Sequence, residues 1–504
     1  MTVFNEDKPI PISKSLGDTV DLQGVRIQLP KKPKLSEVYK CSEKKLEQVW
    51  RIQQPPKELK RNTIDEHFEF LERELLRIQD GFWFMNNGEA TYITGLHYYY
   101  INYVKIDVGH PEYRDRDRLF FYFWEAANKN PQCAGVTLVK PRRMGATWIG
   151  SGMLLYYGSQ IRDALLGILS KTGADAKSMF KKKVVSVFRK LPFWLQPTSA
   201  SGTAPSTSLE FAEPAKRSKE TAAGIEESEA LNTIIEWKNT TENSFDSEKL
   251  IMLVFDESGK IDKEISLETL WEVLSKTLYV GLRIVGKAFL PSTVNDLDAG
   301  GEQFKMLYMA SRISEMIEGA TPTGLWAYFV PAYDGLEGFI DIYGKSVTED
   351  PEKPVMGIHG DYIIEGSKTA LRRARERRKK ISKKTYLENV RQYPWTIEEA
   401  FYFNSSTAVL DTEKIAQQIA YEENDRLHSP VVTGNFIWGE QDKEVVWIPN
   451  ENGKFKIKWL PPVDMRNKHF IKNGKKRPAN GMYGAGGLDP YVHDRTKDGR
   501  GSDG

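Results

Sequence analysis

The sequence has few of the residues that build disulfide scaffolds and zinc sites. Its 504 residues include two cysteines, Cys41 and Cys133, which form no CxxC pair, and seven histidines, none of them paired at metal-ligand spacing. These counts argue against a disulfide-stabilised secreted fold and against a zinc centre. We therefore expect a protein of a reducing cytoplasm.

An excess of charge of one sign is also missing. The 71 Lys and Arg residues nearly balance the 69 Asp and Glu residues, so the formal net charge is only +2. Overall basicity therefore does not indicate nucleic acid, and any DNA contact must come from local patches. The length suggests about three domains at roughly 150 residues each.

Long hydrophobic runs and targeting segments are absent. The longest charge-free run, residues 144–161, has 18 residues but contains four glycines together with Ser, Thr and Gln. It favours a helix after a phosphate loop over a membrane span, which needs about 20 apolar residues. The N-terminal "MTVFNEDKPIPIS" has no basic region followed by an apolar one, so we expect neither secretion nor a membrane anchor.

The first 110 residues show weak and local patterns. Residues 1–60 are rich in Lys and Pro, which favours an arm that wraps a neighbour or stays mobile. The stretch "TIDEHFEFLERELLRI" predicts a helix over 63–78 with Ile64, Phe68, Leu71 and Leu75 on one face. The aromatic segment "GFWFMNNGEATYITGLHYYYINY" predicts short strands or helices packed as core.

Apolar strand candidates alternate with helical patterns between about residues 111 and 332. We predict strands at 136–139, 165–169, 250–255, 285–290 and 326–330, with two possible short strands at "SLEFA" and "NTIIEW". This alternation predicts an α/β fold with a mostly parallel sheet flanked by helices and ligand sites at the carboxyl ends of its strands. Residues 340–430 have helical, charged patterns, and "NFIWG", "KEVVWIP" and "KFKIKWLP" then predict a small antiparallel sheet.

The stretch "VKPRRMGATWIG" follows the first strand and has the outline of a phosphate-binding loop. A P-loop reads GxxxxGK[ST], and here Gly145 takes the second glycine, Ala146 the lysine position and Thr147 the magnesium-binding position. Lys140, Arg142 and Arg143 crowd the start of the loop, so a displaced lysine is able to supply the charge. Basic residues before a glycine also occur on solvated turns.

Two further motifs are placed as a motor ATPase requires. The apolar run "LIMLVFDESGK" delivers Asp256 and Glu257 to its carboxyl end, as a Walker B element does to hold Mg²⁺ and to activate water. After the next strand, "PSTVN" places Ser292, Thr293 and Asn295 where motor ATPases sense the terminal phosphate. Each pattern by itself also fits a surface carboxylate pair or an ordinary turn.

In this order the motifs resemble the large terminase subunit of tailed bacteriophages, a DNA-packaging ATPase with a C-terminal nuclease. The matching stretches are "KPRRMGAT", "LIMLVFDES", "PSTVN" and, most tellingly, "RQYPWTIEEAFYF" at residues 391–403. The resemblance covers roughly residues 80–504 and is specific only at these motifs. It implies a P-loop NTPase core of the ASCE type, a helical linker subdomain and an RNase H-like domain.

The resemblance also implies roles for individual residues. Lys140 neutralises phosphate, Arg142 stabilises the transition state with Arg143 as substitute, Thr147 and Asp256 bind Mg²⁺, and Glu257 is catalytic. ATP is then held by residues 140–147, namely Lys140, Pro141, Arg142, Arg143, Met144, Gly145, Ala146 and Thr147. Ser292, Thr293 and Asn295 couple hydrolysis to movement.

The implied partners are double-stranded DNA, the portal protein of the procapsid, the small terminase subunit and further copies of the chain in a ring, a pentamer in the family. The implied location is the host cell cytoplasm, transiently on the portal. The expected divisions are an N-terminal arm and helical/aromatic region (1–110), the ATPase core (111–335), a helical linker (336–430) and a β-rich segment leading into the nuclease (431–504).

The last motif, "GGLDPY", places Asp489 as the first metal ligand of the nuclease. Only 15 residues follow it, whereas two-metal cleavage needs further acidic ligands, so we expect an incomplete nuclease that does not cleave DNA. The alternatives are a superfamily 2 type helicase, whose intact GK[ST] loop and later motifs are missing, and a non-hydrolysing ATP-binding scaffold.

Two basic stretches are candidates for contact with a DNA backbone. One holds nine Lys or Arg residues between Arg372 and Lys384, and the other is "KKKVVSVFRK" at 181–190. A cationic helix suits sequence-independent phosphate contacts. A solvated helix explains each stretch equally well.

Overall fold

The computed structural model describes residues 8–40, 55–202, 204–212, 230–295, 300–401, 432–438, 445–457 and 469–478. The chain divides into two compact units, Met1–Thr412 and Glu413–Gly504. The four expected domain divisions stay a prediction. Among the described helices, none is long and apolar enough to cross a bilayer.

The N-terminal part of the first unit forms a small sheet, a hairpin and three helices. Its elements are β1 (Ile10–Pro11), β2 (Thr19–Leu22), β3 (Val25–Gln28), α1 (Phe68–Asp80), β4 (Phe82–Asn86), β5 (Glu89–Ile93), α2 (Gly95–Asn102) and α3 (Asp115–Lys129). Strands β4 and β5 pair antiparallel, and α2 is buried along nearly its whole length. The prediction that the aromatic segment packs as core is confirmed.

Two expectations for this part differ from the structure. Instead of an arm, residues 10–28 form the β1-β3-β2 sheet, and Ile10, Val25 and Ile27 join the main buried core. The predicted face of the helix at 63–78 is confirmed only at Leu71, which is buried. Ile64, Phe68 and Leu75 are exposed, and the other buried positions of α1 are Phe70, Glu74 and Ile78. The rotation brings a glutamate inward, which a purely apolar pattern cannot anticipate.

The central sheet has seven strands in the order β14-β6-β13-β10-β7-β9-β8. All neighbouring pairs are parallel except β8 with β9. The predicted mostly parallel α/β fold and its five main strands are confirmed, and both short strands exist. The elements are β6 (Gly135–Val139), α4 (Ala146–Gly158), β7 (Leu165–Ser170), α5 (Gly173–Met179), α6 (Val185–Lys190), β8 (Ser208–Phe211), β9 (Thr233–Trp237), β10 (Leu250–Asp256), α7 (Leu267–Thr277), β11 (Tyr279–Val280), β12 (Arg283–Ile284), β13 (Lys287–Ser292), α8 (Gly301–Ala310) and β14 (Leu325–Phe329).

The sheet is buried on both faces because alternate strand residues face opposite sides. On β10, Met252 and Val254 join the core that contains α3 and α4, whereas Leu253 and Phe255 join the core that contains α7 and α8. Strand β13 lies between β6 and β10, so one strand separates the loop-bearing strand from the acidic strand. This arrangement agrees with the predicted ASCE-type core and brings three carboxyl ends to one edge.

The rest of the first unit is partly helical, with β15 (Val355–Met356), β16 (Tyr362–Ile363), α9 (Ser367–Lys379), α10 (Lys383–Gln392) and α11 (Ile397–Ala400). The basic stretch 372–384, expected as one helix, is divided between α9 and α10. In the second unit, β17 (Val432–Trp438), β18 (Val445–Pro449) and β19 (Phe455–Ile457) form the predicted antiparallel sheet, and β20 (His469–Lys472) pairs with β21 (Lys475–Pro478).

Candidate nucleotide-binding site

The loop between β6 and α4 contains two residues with left-handed backbone conformation. Arg143 has φ +64° and Gly145 has φ +89°, and Gly145 is the N-cap of α4, which begins at Ala146. At the other end of the loop, the Lys140 amide donates to the Ser292 carbonyl at 3.0 Å, which ties the loop to the end of β13. The first amides of α4 are therefore presented at the carboxyl edge of the sheet, as anion binding requires.

Thr147 and Asp256 meet across this edge. The Thr147 hydroxyl donates to Asp256 Oδ2 at 2.9 Å, and Asp256 is 6% exposed. Burial raises the pKa of Asp256, against the opposing fields of Lys140 and the Thr147 hydrogen bond. Asp256 Oδ1 is buried and has no hydrogen-bond partner within the described residues. A buried carboxylate oxygen without a partner is costly, so these two side chains fit a hydrated Mg²⁺.

Glu257 is enclosed by cations. It has left-handed backbone geometry with φ +54°, and its amide donates to the Pro291 carbonyl at 2.8 Å. Lys140 Nζ lies 3.0 Å from Glu257 Oε1 and Lys260 Nζ lies 2.9 Å from Oε2. Burial acts to raise the pKa of Glu257, but Lys140 and Lys260 together outweigh it and bring the pKa to about 2. The carboxylate is therefore ionised at neutral pH.

The coupling candidates end β13 beside this carboxylate. The Thr293 hydroxyl donates to Glu257 Oε2 at 3.1 Å. Ser292 is fully buried, and its hydroxyl oxygen accepts from the Gly259 amide at 3.0 Å and donates to the Thr293 carbonyl at 2.7 Å. Asn295 follows Val294 and precedes residues 296–299, which lie outside the described residues, as does Asp489.

A cavity of about 750 Å³ lies over the loop. Its wall includes most of the predicted ATP-binding residues, namely Lys140, Arg143, Met144, Gly145, Ala146 and Thr147, together with Glu257. Pro141 is buried and Arg142 is exposed, and neither belongs to this wall. The Arg142 guanidinium donates to Gln392 Oε1 and its amide to the Gln392 carbonyl, both at 3.1 Å. Of the two loop arginines, the structure thus brings Arg143 to the cavity and holds Arg142 against the end of α10.

Several residues at this site were missed by sequence reasoning. Lys260, three positions after Glu257, could have been found from "FDESGK", because an i, i+3 lysine reaches an acidic side chain on a helical turn. Arg116 is buried and donates to the Met144 carbonyl at 3.4 Å, a contact with the loop that no local pattern reveals. Lys183 also belongs to the cavity wall, although it lies in a stretch interpreted as a DNA-binding or solvated helix.

The mostly parallel sheet, the loop before α4 and the acidic end of β10 are arranged as in P-loop ATPases. No protein-family model matches the sequence, and no curated protein matches it. Among the described residues, no group of three or more His, Cys, Asp or Glu side chains is placed to hold a metal ion.

The solved structures similar to this chain include phage large terminases. A variant of the large terminase ATPase domain of Thermus phage P74-26 is 11% identical, with 57% of this chain and 98% of that chain covered and a TM-score of 0.35. Another structure of that ATPase domain is 12% identical over 52% and 87% of the two chains, with a TM-score of 0.32. The HK97 bacteriophage large terminase is 12% identical over 66% and 53%, with a TM-score of 0.33.

Proposed function

We propose that this chain is an ATPase that drives DNA packaging, of the large terminase type. The observation that carries the proposal is the contact of Thr147 with Asp256 at 2.9 Å, made where the loop helix meets the acidic strand. The hydroxyl and the carboxylate are the two protein ligands that a P-loop site offers to the Mg²⁺ of a bound nucleotide. The orphaned Asp256 Oδ1 supports the same assignment.

When bound, Mg²⁺ neutralises phosphate charge, and the chain's own residues orient the reactants. Glu257 accepts a hydrogen bond from the attacking water. At a pKa of about 2 it is only weakly basic while Lys140 is paired with it. A triphosphate that competes for Lys140 removes one of the two lysine contacts and so raises the basicity of Glu257, while Lys260 stays paired with it.

The remaining loop and strand residues fall into two groups. Lys140 and Arg143 face the cavity and neutralise the phosphates, while Arg142 must leave Gln392 to reach them and stabilise the transition state. Thr293 is hydrogen-bonded to Glu257 and directly follows β13, so a change at that carboxylate is passed to the strand. Ser292 and Asn295 flank this position and are the other proposed coupling residues. The loop also contacts α10 directly, through the Arg142 amide and the Gln392 carbonyl, which offers the proposed coupling a route out of the site.

The proposed partners follow from the same assignment. They are ATP and Mg²⁺, double-stranded DNA, the portal protein of the procapsid, the small terminase subunit and further copies of the chain in a ring, a pentamer by resemblance. Exposed basic residues of α9 and α10 suit contact with a phosphate backbone. A nuclease role for Asp489 is a further part of the proposal.

The test measures the rate of ATP hydrolysis by the whole chain and by its Glu257→Gln variant, each with and without double-stranded DNA. We expect DNA to stimulate turnover, and the variant to bind ATP while losing turnover roughly 100-fold or more. Glu264→Gln, an exposed carboxylate nearby, is the matched control. ATP binding without any wild-type turnover would support a scaffold instead, and strand separation of a forked duplex would support a helicase.

A further inference from the structure

The loop position that normally carries lysine is filled by a buried methyl group. Ala146 is 1% exposed and belongs to the main core cluster together with Met144. Lys140, the displaced lysine, is 5% exposed and already paired with Glu257. A triphosphate brings several negative charges into the cavity, so a further cation at its wall has a clear use.

A neighbouring helix provides such a cation at the cavity wall. After α5, residues Phe180–Val184 form one π-helical turn before α6 continues the helix. Lys181 and Lys182 are exposed, whereas Lys183 is half-buried and lies in the wall of the same cavity as Thr147 and Glu257. The wider π turn changes the direction of the side chains it contains, and such turns are frequent at functional sites.

The Lys183 ammonium is held in place by Trp148. Nζ lies 5.0 Å from the centroid of the Trp148 ring, within the range of a cation–π contact, and Trp148 is the third residue of α4. Within the described part of the chain, no carboxylate pairs with Lys183 at ion-pair distance. The ammonium thus lies over an aromatic surface at the cavity wall, and the carboxylates of Asp256, Asp107 and Glu257 act on it from beyond ion-pair distance within the described residues.

The local electrostatics of Lys183 combine partial burial with charges of both signs. Burial, the largest effect, lowers the pKa of Lys183; Asp256, Asp107 and Glu257 raise it, and Lys140 lowers it further. A cation that is partly desolvated beside another cation gains free energy when a phosphate arrives. Phosphate binding would relieve this repulsion between Lys183 and Lys140.

We propose that Lys183 is a phosphate-binding residue of the nucleotide site and supplies from a neighbouring helix the ammonium that the loop lacks at Ala146. The proposal rests on the proposed function, since it requires that a nucleoside triphosphate binds in this cavity. The proposal gives Lys183 a role that Lys181 and Lys182 do not have, although all three belong to one basic cluster in the sequence.

The experiment measures dissociation constants for ATP, ADP and AMP by calorimetry with Mg²⁺, using the whole chain and the variants Lys183→Ala, Lys183→Gln and Lys183→Arg. Loss of a charged hydrogen bond predicts ATP binding weaker by about tenfold or more, ADP binding less affected and AMP binding nearly unchanged. Lys183→Arg restores part of the affinity, and the exposed control Lys182→Ala stays within about twofold.

Each other outcome counts against the proposal. If the Lys183 variants lose equal affinity for ATP and AMP, the role of Lys183 is structural, through Trp148. If ATP affinity is unchanged in both Lys183→Ala and Lys183→Gln, Lys183 does not bind phosphate, and the proposed ATPase function is unaffected. If wild-type protein binds none of the three nucleotides, the proposed function fails first and this inference with it. Lys183→Gln keeps part of the aliphatic stem without the charge, so it remains informative where Lys183→Ala does not fold.

Discussion

Lys140 Nζ and Glu257 Oε1 are 3.0 Å apart, so the displaced lysine of the loop and the proposed catalytic carboxylate are paired with each other. The lysine comes from the end of β6 and the glutamate from the end of β10, two strands that do not adjoin. Both side chains are therefore partly neutralised in the chain without nucleotide. In the proposed mechanism a triphosphate that takes Lys140 removes one of the two lysines paired with Glu257 and leaves Lys260 in place.

Lys140→Ala should therefore impair both binding and turnover. We expect ATP to bind more weakly and the hydrolysis rate at saturating ATP to fall roughly 100-fold, because a preorganised cation is lost at the phosphates. Steady-state kinetics with and without DNA measure both effects. Lys260→Ala is the comparison: it also removes a cation from Glu257, but Lys260 is not in the cavity wall, so the KM for ATP should stay close to wild type. Full activity of Lys140→Ala would show that Lys140 does not replace the phosphate-binding lysine that is absent at Ala146.

The two loop arginines should behave differently when each is changed to alanine. Arg143 lies in the cavity wall, so Arg143→Ala should weaken ATP binding about tenfold through the loss of a charged hydrogen bond. Arg142 contacts Gln392 in this structure, so Arg142→Ala should leave ATP affinity within about twofold while lowering kcat through the transition state. Calorimetry and single-turnover hydrolysis separate the effects. A greater loss of ATP affinity in Arg142→Ala than in Arg143→Ala would contradict the arrangement.

Much of the central fold could be predicted because buried parallel strands are continuous apolar runs. The run that ends at Val139 has one polar residue, Thr137, and the run that leads to Asp256 has none before it, so the limits of both strands are clear from the sequence. In any parallel sheet the carboxyl ends of such strands lie at one edge. The sequence predicts that these strands end at one edge, but the strand order that brings Thr147 to Asp256 and Thr293 to Glu257 comes from the structure.

The contacts that sequence reasoning missed depend on long-range packing. Lys183 is one of three successive lysines, and only the π turn and the placement of α4 distinguish it from its neighbours. Arg142 contacts a residue 250 positions away, on a helix whose placement no local pattern gives. Glu74 is buried on α1 because tyrosines from α2 and the residue after it donate to it, so the inward face of that helix is partly polar.

His359 should make the stability of the chain depend on pH. Its Nε2 lies 2.8 Å from Glu337 Oε1 and its Nδ1 3.5 Å from Glu112 Oε1, and Arg114 also pairs with Glu337. The hydrogen bond to Glu337 raises the pKa of His359 above its usual 6.5, against partial burial. A raised folded-state pKa gives stability that is fully present below pH 6.5 and is lost as pH rises through the folded-state pKa.

Urea denaturation of wild type and His359→Gln should therefore show a larger difference at pH 5.5 than at pH 9. The effect is small because about half of the His359 side chain is exposed to solvent. In a Glu337→Gln background the pH dependence of that difference should shrink, since the main partner is gone. An equal difference at both pH values would exclude a contribution from the charged imidazole.

The second glutamate of "TIEEAF" should matter for folding more than the first. Glu399 accepts from Arg375 Nη1 at 2.8 Å and Nη2 at 2.6 Å and from the Trp395 amide at 2.6 Å, and the Arg375 guanidinium lies 4.6 Å from the Trp395 ring centroid. Glu399→Ala should cost about 2 kcal/mol of unfolding free energy, because a bidentate ion pair is broken beside a half-buried aromatic ring. Denaturation beside the exposed control Glu398→Ala measures it, and equal stabilities would refute the role.

Glu74 should be the most sensitive carboxylate of the N-terminal region. It is 1% exposed, it lies 2.6 Å from Arg77 Nη1, and its Oε2 accepts from the hydroxyls of Tyr98 and Tyr103. Burial and Glu74 raise the pKa of both tyrosines, so they remain hydroxyl donors across the accessible pH range. Replacing Glu74 leaves two hydroxyl groups and one guanidinium without their acceptor.

Glu74→Ala should therefore lower the free energy of unfolding by about 3 kcal/mol or more, the cost of breaking a buried ion pair. Glu74→Gln keeps an acceptor for the tyrosines but loses the charge opposite Arg77. Its free energy of unfolding should therefore lie between those of wild type and Glu74→Ala. Chemical denaturation of the whole chain measures the series, with the exposed Glu72→Ala expected within about 0.5 kcal/mol of wild type. If Glu74→Ala were as stable as Glu72→Ala, the inward rotation of α1 in the structure would be wrong.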